Sequence, residues 1–418
     1  MMRPLLSRRV PAPESPNRLM TTFRTLRSGS HRLIHLVETN PTRCGFSYDH
    51  DGIRRAAAEP GILQYRPDPR GSLDARLAVQ AYYRDYGVNV HPDRILLTSS
   101  TSEAYSFLFK LLCDSGDQVL IPKPSYPLFD VLARLDDVSL AAYALTYRPE
   151  TGWHIDLDSL YDAIGHRCKA VILVHPNNPT GSYIRAAELD MLETYCERFG
   201  LALIIDEVFL DFGATSKDVS QGATCAGRNR VSTFILSGLS KICGLPQIKL
   251  GWIVASGPSD LTDELTERLE WISDAYLSVS ASAQAAASHL IRHRKHFQLQ
   301  VRMRIEANLQ TLATEGLVPL QGNLYKREGG WYALIRLESA LSDEELACRL
   351  LEEEQVFVHP GYFYDIEADD PVVVLSLLCE PEGFREGIRR MVRFLGRWAV
   401  GSRQWAGDRR SEDQKMRR

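Results

Sequence analysis

Short apolar runs alternate with longer stretches of helical periodicity over roughly the first 290 residues of the chain. The predicted strands are continuously apolar rather than alternating, and they cover residues 95–98, 118–121, 170–174, 201–205, 232–236 and 251–256. A strand that helices cover on both faces has this pattern, as in a parallel sheet. The stretches between them, such as residues 186–200, have the length and periodicity of helices. The sequence therefore predicts βαβ units, with ligands bound at the carboxyl ends of the strands.

The pattern changes near residue 290, where a long charged helix leads into a mixed segment. The elements predicted there are strands at 329–337, 356–361 and 371–378 and a closing helix at 382–396. We therefore predict an α/β fold, with a large domain whose mostly parallel sheet is flanked by helices and a smaller α+β domain. The predicted divisions are a disordered tail at 1–20, an N-terminal segment on the small domain at 21–60, the large domain at 61–290, the linking helix and small domain at 291–403, and a disordered tail at 404–418.

Composition and charge narrow the classes of function. Lysine and arginine number 49 against 53 aspartates and glutamates, and this net charge of −4 argues against non-specific binding of nucleic acid. No apolar run approaches the roughly 18 residues of a membrane span, and the basic N-terminal stretch lacks the apolar core of a signal peptide. The 8 cysteines are scattered without a CxxC pair, which indicates neither a metal site nor a disulfide framework. We expect a cytoplasmic protein without nucleic-acid or membrane partners.

The motifs GxGxxG, GxxxxGK[ST], HExxH and GxSxG, which mark nucleotide-binding, zinc-protease and hydrolase sites, do not occur. What remains is a set of loop residues at predicted strand ends. Lys241 follows the strand that ends at Ser237, within the small-residue sequence SGLSK. A lysine that is partly desolvated there has a lowered pKa, which suits it to form a Schiff base. Taken alone, a lysine of this kind is more often a solvated loop residue.

Two further loops carry polar residues at predicted strand ends. The sequence HPNNPTG at 175–181 is a rigid turn that presents the amide of Asn178 in a fixed orientation, although a purely structural turn explains the same residues. Asp206 ends the run LALII and is expected to be buried, which is costly for a carboxylate without a partner. A cationic heterocyclic nitrogen is a suitable partner, and a salt bridge or a helix N-cap is the commoner role of a single aspartate.

The three motifs occur in a defined order, with Asp206 28 residues after Asn178 and Lys241 35 residues after Asp206. Order and spacing together resemble the class I/II aminotransferases, which are fold-type I pyridoxal-phosphate enzymes, from about residue 33 to 400. The resemblance implies that Lys241 forms the Schiff base with the cofactor and that Asp206 keeps the pyridine nitrogen protonated. It also implies that Asn178 donates to the 3-oxygen of the ring and that Tyr126, in PKPSYPLF, stacks on the ring face.

The resemblance further implies a phosphate site. The segment TSSTSEAY at 98–105 resembles the turn that binds the phosphate, with the backbone N–H groups and hydroxyls of Thr101 and Ser102 at a helix N-terminus. Other expected ligands are Ser237, Ser240 and Lys249, although the family usually has an arginine at the position of Lys249. Tyr65, in LQYRPDPRG, resembles the tyrosine that reaches the phosphate of the neighbouring subunit, which implies a homodimer.

One departure from the family bears on the substrate. Many members have an arginine before the Leu-Ser near the C-terminus, and it binds the α-carboxylate of the substrate. Here Val374 precedes Leu375-Ser376, and there is no arginine between Arg336 and Arg385. Arg43, in VETNPTRCGF, is our candidate for this role, because the matching N-terminal segment of the family folds over the substrate. A surface arginine without this role is the alternative.

The resemblance implies that the protein moves an amino group from an amino acid to a 2-oxo acid by a ping-pong mechanism, with pyridoxal 5'-phosphate as cofactor. Other possibilities stay open. A C–S lyase or a decarboxylase on the same fold is favoured somewhat by the missing arginine. A catalytically silent regulator that binds pyridoxal phosphate is disfavoured, because no helix-turn-helix pattern precedes the region of resemblance. The last alternative is an α/β enzyme that does not use this cofactor, in which the three motifs would occur together only by coincidence.

Overall fold

A computed structural model describes residues 6–12, 15–29, 32–213, 223–277, 279–315, 324–339 and 341–397. The tail predicted at 404–418 lies outside the described residues, as does part of the tail predicted at 1–20. Helix α1 begins at Arg18, where the side chain of Asn17 accepts a hydrogen bond from the N–H of Met20, so the predicted boundary at residue 20 falls within its first turn. No helix in the described part of the chain combines the length and the apolar character that crossing a bilayer requires.

The described residues form twelve α-helices and thirteen strands. The helices are α1 Arg18–Ser28, α2 His50–Ala57, α3 Leu73–Arg84, α4 Thr101–Leu112, α5 Leu128–Leu135, α6 Leu157–Ala163, α7 Ala186–Phe199, α8 Leu239–Ile242, α9 Ser259–Tyr276, α10 Ala281–Thr314, α11 Asp343–Glu354 and α12 381–397. The strands are β1 Ile34–His35, β2 Ile95–Thr98, β3 Gln118–Lys123, β4 Ser139–Arg148, β5 Gly152–Ile155, β6 Cys168–Val174, β7 Ala202–Asp206, β8 Thr233–Gly238, β9 Gly251–Ser256, β10 Tyr332–Arg336, β11 Val356–Phe357, β12 His359–Pro360 and β13 Val372–Ser376.

The large sheet has the strand order β2-β9-β8-β7-β6-β3-β4-β5 among the described residues. Its central strands β8, β7, β6, β3 and β4 run parallel, whereas β9 is antiparallel to both of its neighbours and β5 is antiparallel to β4. All six predicted strands lie in this sheet, and the predicted α/β fold class is confirmed. Strands β4 and β5 were not predicted, because β4 lies near the edge of the sheet and most of its residues are only partly buried. Partial burial leaves no continuous apolar run to recognise.

The smaller unit is built on the three-stranded sheet β10-β13-β12, which is antiparallel throughout. Strand β1 pairs in parallel with β11 beside it. Helix α1 adds Leu19 and Phe23 to the same apolar core, and the ring of Phe23 stacks on that of Phe357 at a centroid distance of 4.4 Å. Each fully buried side chain of this size stabilises the fold by about 1.5–3 kcal/mol. This burial attaches the N-terminal residues to the small unit.

The N-terminal segment predicted at 21–60 divides between two cores. Its first part packs on the small unit, but Ile53 and Ala56 of helix α2 pack against the core beneath the large sheet. The long helix α10 joins the two cores, since Leu290 lies in the core of the large sheet and Val301 in that of the small unit. Strands β6, β7 and β8 point the same way, so their carboxyl ends meet at one edge that faces the small unit.

Candidate active site

Lys241 lies in the short helix α8, three residues beyond the end of strand β8. Its side chain is half-buried, and its amine lies 5.4 Å from the ring centroid of Phe209 and 5.1 Å from that of Trp331. Desolvation by burial lowers the pKa of the Lys241 amine to about 8, although the nearby charge of Asp206 opposes the shift. No hydrogen bond or ion pair engages this amine within the described residues. A lysine in this state is partly uncharged at neutral pH, so it can act as a nucleophile or as a base.

Asp206 is the last residue of strand β7, and it is 8 % exposed. Its carboxylate accepts hydrogen bonds from the hydroxyl of Tyr105 at 3.1 Å and from the N–H of Val208 at 3.0 Å. Burial raises the pKa of the Asp206 carboxyl to about 6, while those two hydrogen bonds and the charge of Lys241 oppose the rise. A buried carboxylate of this kind gains most from a cationic N–H donor placed beside it.

Asn178 and Ser237 each carry a buried polar atom that has no hydrogen-bond partner in the described structure, the amide oxygen of Asn178 and the hydroxyl of Ser237. The neighbouring Asn177 is satisfied, because its amide donates to Pro124 O at 3.2 Å and to Thr180 Oγ1 at 3.0 Å. Either orientation of the Asn178 amide leaves a polar atom of this side chain available to a ligand. A buried polar atom without a partner costs about 1–3 kcal/mol, so the two atoms indicate a polar ligand.

The N-terminus of helix α4 lies at the same edge and has the geometry to bind an anion. The side chain of Ser100 accepts a hydrogen bond from the N–H of Glu103 at 3.1 Å, whereas the amides of Thr101 and Ser102 have no acceptor within the described residues. Free amides and the helix dipole together favour a phosphate group there. Gly251 brings Ser237 to this position, because a Cβ on Gly251 would lie 3.1 Å from both the Ser100 carbonyl carbon and the Ser237 carbonyl oxygen.

The remaining predicted residues divide between the site and the surface. Tyr126 is 45 % exposed in the loop after β3, and Ser240 is partly buried beside Lys241. Lys249 and Arg43 are exposed, and neither side chain has a hydrogen bond or an ion pair to another described residue. Tyr65 is 85 % exposed and lines an outer groove of about 1210 Å³. The structure therefore brings Lys241 together with the predicted residues of the neighbouring strand ends, and it leaves these three on the surface.

Sequence reasoning missed three aromatic residues of the site. Tyr105 donates to Asp206, and its spacing of four residues from Thr101 along α4 could have placed both on one helix face. Trp331 and Tyr332 come from the small unit, where Trp331 covers the Lys241 amine. Their sequence, GGWYALIRL, predicts a strand but contains no signal for the element that it faces.

A family model described as "Aminotransferase class I and II" matches residues 32–372 of the chain. This protein belongs to that family. It is similar to an alanine aminotransferase of Mycobacterium tuberculosis (26 % identity over 388 residues, covering 91 % of this chain and 88 % of that protein). It is also similar to nicotianamine aminotransferase 1 of Oryza sativa subsp. japonica (26 % identity, covering 82 % of this chain and 70 % of that protein).

The fold is shared with solved aminotransferases. The structure of an alanine aminotransferase from Pyrococcus furiosus superimposes with a TM-score of 0.79 at 23 % identity, over 91 % of this chain and 96 % of that one. An aspartate aminotransferase from Thermotoga maritima gives a TM-score of 0.79 at 21 % identity, over 94 % of this chain and 100 % of that one. At these identities the superpositions establish the fold, and the family match establishes the enzyme class. The protein is a transferase that depends on pyridoxal phosphate.

The residues of this aminotransferase fit the cofactor of its family. Pyridoxal phosphate has a cationic ring nitrogen, a 3-oxygen, an aldehyde and a phosphate group, and each finds a complementary group at the sheet edge. The fit rests on the unpaired atoms of Asn178 and Ser237, the free amine of Lys241, the buried carboxyl of Asp206 and the free amides at the start of α4.

The pKa of Lys241 predicts how the apoenzyme takes up its cofactor as the pH changes. Only the uncharged amine attacks an aldehyde, and its fraction falls about tenfold per pH unit below the pKa. Because burial lowers this pKa to about 8, the rate of cofactor incorporation should rise up to about pH 8 and level off above it. Stopped-flow absorption in the visible range measures the rate. A rate that still rises tenfold per unit near pH 10 would show that Lys241 is not desolvated.

Proposed function

We propose that Lys241 is the residue of this aminotransferase that binds the cofactor covalently and moves the proton during amino-group transfer. The observation that carries the proposal is the state of its amine. The amine is half-buried with a pKa lowered to about 8, it has no partner within the described residues, and it lies between the rings of Phe209 and Trp331. A structural lysine would be paired or fully solvated.

The neighbouring residues have separate tasks in this proposal. When bound, the cofactor supplies a protonated ring that stabilises negative charge at the substrate Cα. Asp206 holds a proton at the ring nitrogen, and its hydrogen bonds from Tyr105 and Val208 fix the orientation of the carboxylate. Lys241 takes the proton from Cα and returns it, while the rings of Phe209 and Trp331 exclude water from the amine.

The remaining groups hold the cofactor in place. Asn178 donates an amide N–H to the 3-oxygen. The amides of Thr101 and Ser102 bind the phosphate together with the unpaired hydroxyl of Ser237. Tyr126 covers the ring from the side of the solvent. We also assign Ser240 and Lys249 to the phosphate.

The substrates in this proposal are an amino acid and a 2-oxo acid, which use the same site in turn. The two relatives are named for different amino donors, alanine and nicotianamine. The amino donor of this enzyme therefore has to be found by experiment. The holoenzyme should be incubated with a panel of amino acids without a 2-oxo acid, and the oxo acid and ammonia should be quantified. Transfer predicts about one equivalent of oxo acid per site and no ammonia, with further turnover only after a 2-oxo acid is added. Continuous release of ammonia would favour the lyase instead.

We propose a homodimer, in which Tyr65 of one subunit contacts the phosphate of the other. Tyr65 and Leu63 are 85 % and 87 % exposed on one outer groove, which Leu277 also lines with 75 % exposure. Exposed apolar side chains that are grouped in this way mark an interface.

We also propose a cytoplasmic location. The 8 cysteines are all unpaired, which supports it.

Loss of the Tyr65 hydroxyl tests the dimer. Tyr65→Phe should weaken cofactor binding roughly tenfold, because one hydrogen bond to a charged phosphate is lost. Tyr161→Phe removes a hydroxyl from the exposed face of helix α6 and serves as the matched control. Absorption titration of the apoenzyme measures the affinity, and sedimentation measures the oligomeric state. A monomeric enzyme with normal affinity, or a Tyr65→Phe variant that binds as tightly as the control, would contradict the proposal.

A further inference from the structure

One face of the small sheet lies beside the site. Across the ladder, Leu334 and His359 are both register partners of Val374. Side chains of directly paired residues lie on the same face of a sheet, and so do residues two apart along a strand. Tyr332 therefore shares its face with Val374 and His359. This face is close to Lys241, because the ring of Tyr332 lies 6.4 Å from that of Phe209, whose ring lies 5.4 Å from the Lys241 amine.

Tyr332 and Tyr364 form a pair of hydroxyl-bearing rings there. Their ring centroids are 6.1 Å apart. The hydroxyl of Tyr332 faces the side chains of Thr39 and Asn178, whose hydrogen bonding opposes the rise in pKa that burial causes. The backbone oxygen of Tyr364 accepts a hydrogen bond from the N–H of Ser125 at 3.0 Å. This bond holds the turn that contains Tyr364 against the loop that carries Tyr126.

His359 holds the second hydroxyl. Its Nδ1 lies 3.1 Å from the hydroxyl oxygen of Tyr364. Burial lowers the pKa of His359 to about 4, so the ring is neutral at physiological pH. Burial also raises the pKa of both Tyr332 and Tyr364, which keeps their hydroxyls protonated. With Val374 between them, these residues present hydrogen-bond donors but no cation.

We propose that the hydroxyls of Tyr332 and Tyr364 bind the carboxylate of the amino-acid substrate as uncharged donors. This inference rests on the proposed function, because it takes the substrate amino group to be at Lys241. The carboxylate is attached to the same carbon as that amino group, so it must lie close to the amine, beside the ring of Phe209, and the ring of Tyr332 lies next to that of Phe209. Arg43, the other candidate, is exposed and has no partner within the described residues that would orient it.

His359 is a positioning residue in this arrangement. With a hydrogen on Nδ1 it donates to the oxygen of Tyr364, and the Tyr364 O–H is then free to donate to the carboxylate. The tautomer with hydrogen on Nε2 would instead accept the Tyr364 hydrogen and remove that donor. The neutral state of His359 permits either form, so the side chain at this position sets the direction of the hydrogen bond.

The test compares an amino acid with its primary amide, using the best donor found in the panel above. The amide keeps the amino group and the side chain but loses the negative charge. Tyr332→Phe and Tyr364→Phe should each lower kcat/KM for the acid about tenfold or more, because a hydrogen bond to a charged group is lost, and should lower that for the amide only a few-fold, because its neutral carbonyl accepts a weaker hydrogen bond. The acid-to-amide preference should therefore fall. Tyr161→Phe should keep the wild-type preference.

The outcomes separate this inference from the function beneath it. If no amino acid donates to the wild-type enzyme, the proposed function fails and the inference fails with it. If the wild type transfers amino groups but both phenylalanine variants keep the wild-type preference, only the inference is overturned. A preference that disappears in Arg43→Ala and survives in the phenylalanine variants would assign the carboxylate to Arg43. The visible spectrum and the melting temperature of each variant confirm that it is folded and holds its cofactor.

The role of His359 has its own comparison. The side-chain amide of asparagine places an N–H donor near the position of Nδ1, whereas alanine provides none. His359→Asn should therefore keep the acid-to-amide preference, and His359→Ala should reduce it several-fold. Equal loss in both variants would reduce His359 to a packing residue and overturn its positioning role.

Discussion

Lys241→Ala should abolish amino-group transfer, with a loss of at least about 10³-fold in kcat, because the base that we assign to the Cα proton is removed. The variant should still bind pyridoxal phosphate through the groups that surround it, since Asp206, Asn178 and Ser237 are unchanged. Single-turnover kinetics with the best donor measures the loss. A small added amine should restore part of the rate, because it can enter the space that the side chain leaves.

The control for this variant is Lys249→Ala. It removes a lysine that is exposed and assigned to the phosphate, so it should weaken cofactor binding and leave kcat within a few-fold at saturating cofactor. An active Lys241→Ala enzyme would contradict the assignment of the base. If kcat falls no further in Lys241→Ala than in Lys249→Ala, that assignment would also be contradicted, since both changes would then act through cofactor binding alone.

Asp206→Asn should lower kcat at least about 100-fold while the enzyme stays folded, because a neutral amide cannot keep a proton on the ring nitrogen. The side chain keeps its size, and its single amide oxygen can still accept from the N–H of Val208, whereas its NH2 group can only donate to the hydroxyl oxygen of Tyr105. Steady-state kinetics measures the loss, and the absorption spectrum reports whether the cofactor is bound. A variant with near-normal kcat would show that another group holds the ring proton.

The same substitution should stabilise the apoenzyme. Burial raises the pKa of Asp206 from 3.8 to about 6, so its neutral form is the one that the fold favours. The stability that this group contributes is complete below pH 3.8 and is lost as the pH rises through about 6. At pH 8 the asparagine variant avoids this loss, and its free energy of unfolding should exceed that of wild type by on the order of 2 kcal/mol. A less stable apo variant would contradict the account of the buried carboxyl.

The large sheet and the grouping of the residues at its strand ends could be predicted because both depend on local sequence. A strand buried on both faces is continuously apolar wherever it lies. Asp206 ends such a strand, and Lys241 and Asn178 each follow one. Parallel strands place their carboxyl ends at one edge, which brings these residues together without further information. Strand β4 could not be predicted because it lies next to the edge strand β5, and its partial burial leaves no continuous apolar run.

The contribution of the small unit could not be predicted in the same way. Trp331 is 90 residues beyond Lys241 in the chain, and its contact with that amine depends on how two separate cores pack. A strand pattern identifies which residues are buried but not which element they meet. The position of Tyr332 beside Val374 and His359 likewise depends on the register of β10, β13 and β12, which only the folded chain defines.

Reduction of the holoenzyme with borohydride, followed by peptide mapping, tests the central claim most directly. Reduction fixes the bond between the cofactor and its lysine, so mass spectrometry identifies the residue. We predict a phosphopyridoxyl group on the peptide that contains Lys241 and on no other lysine peptide. A modified lysine elsewhere, or an active holoenzyme in which the Lys241 peptide stays unmodified, would contradict the assignment of the active site.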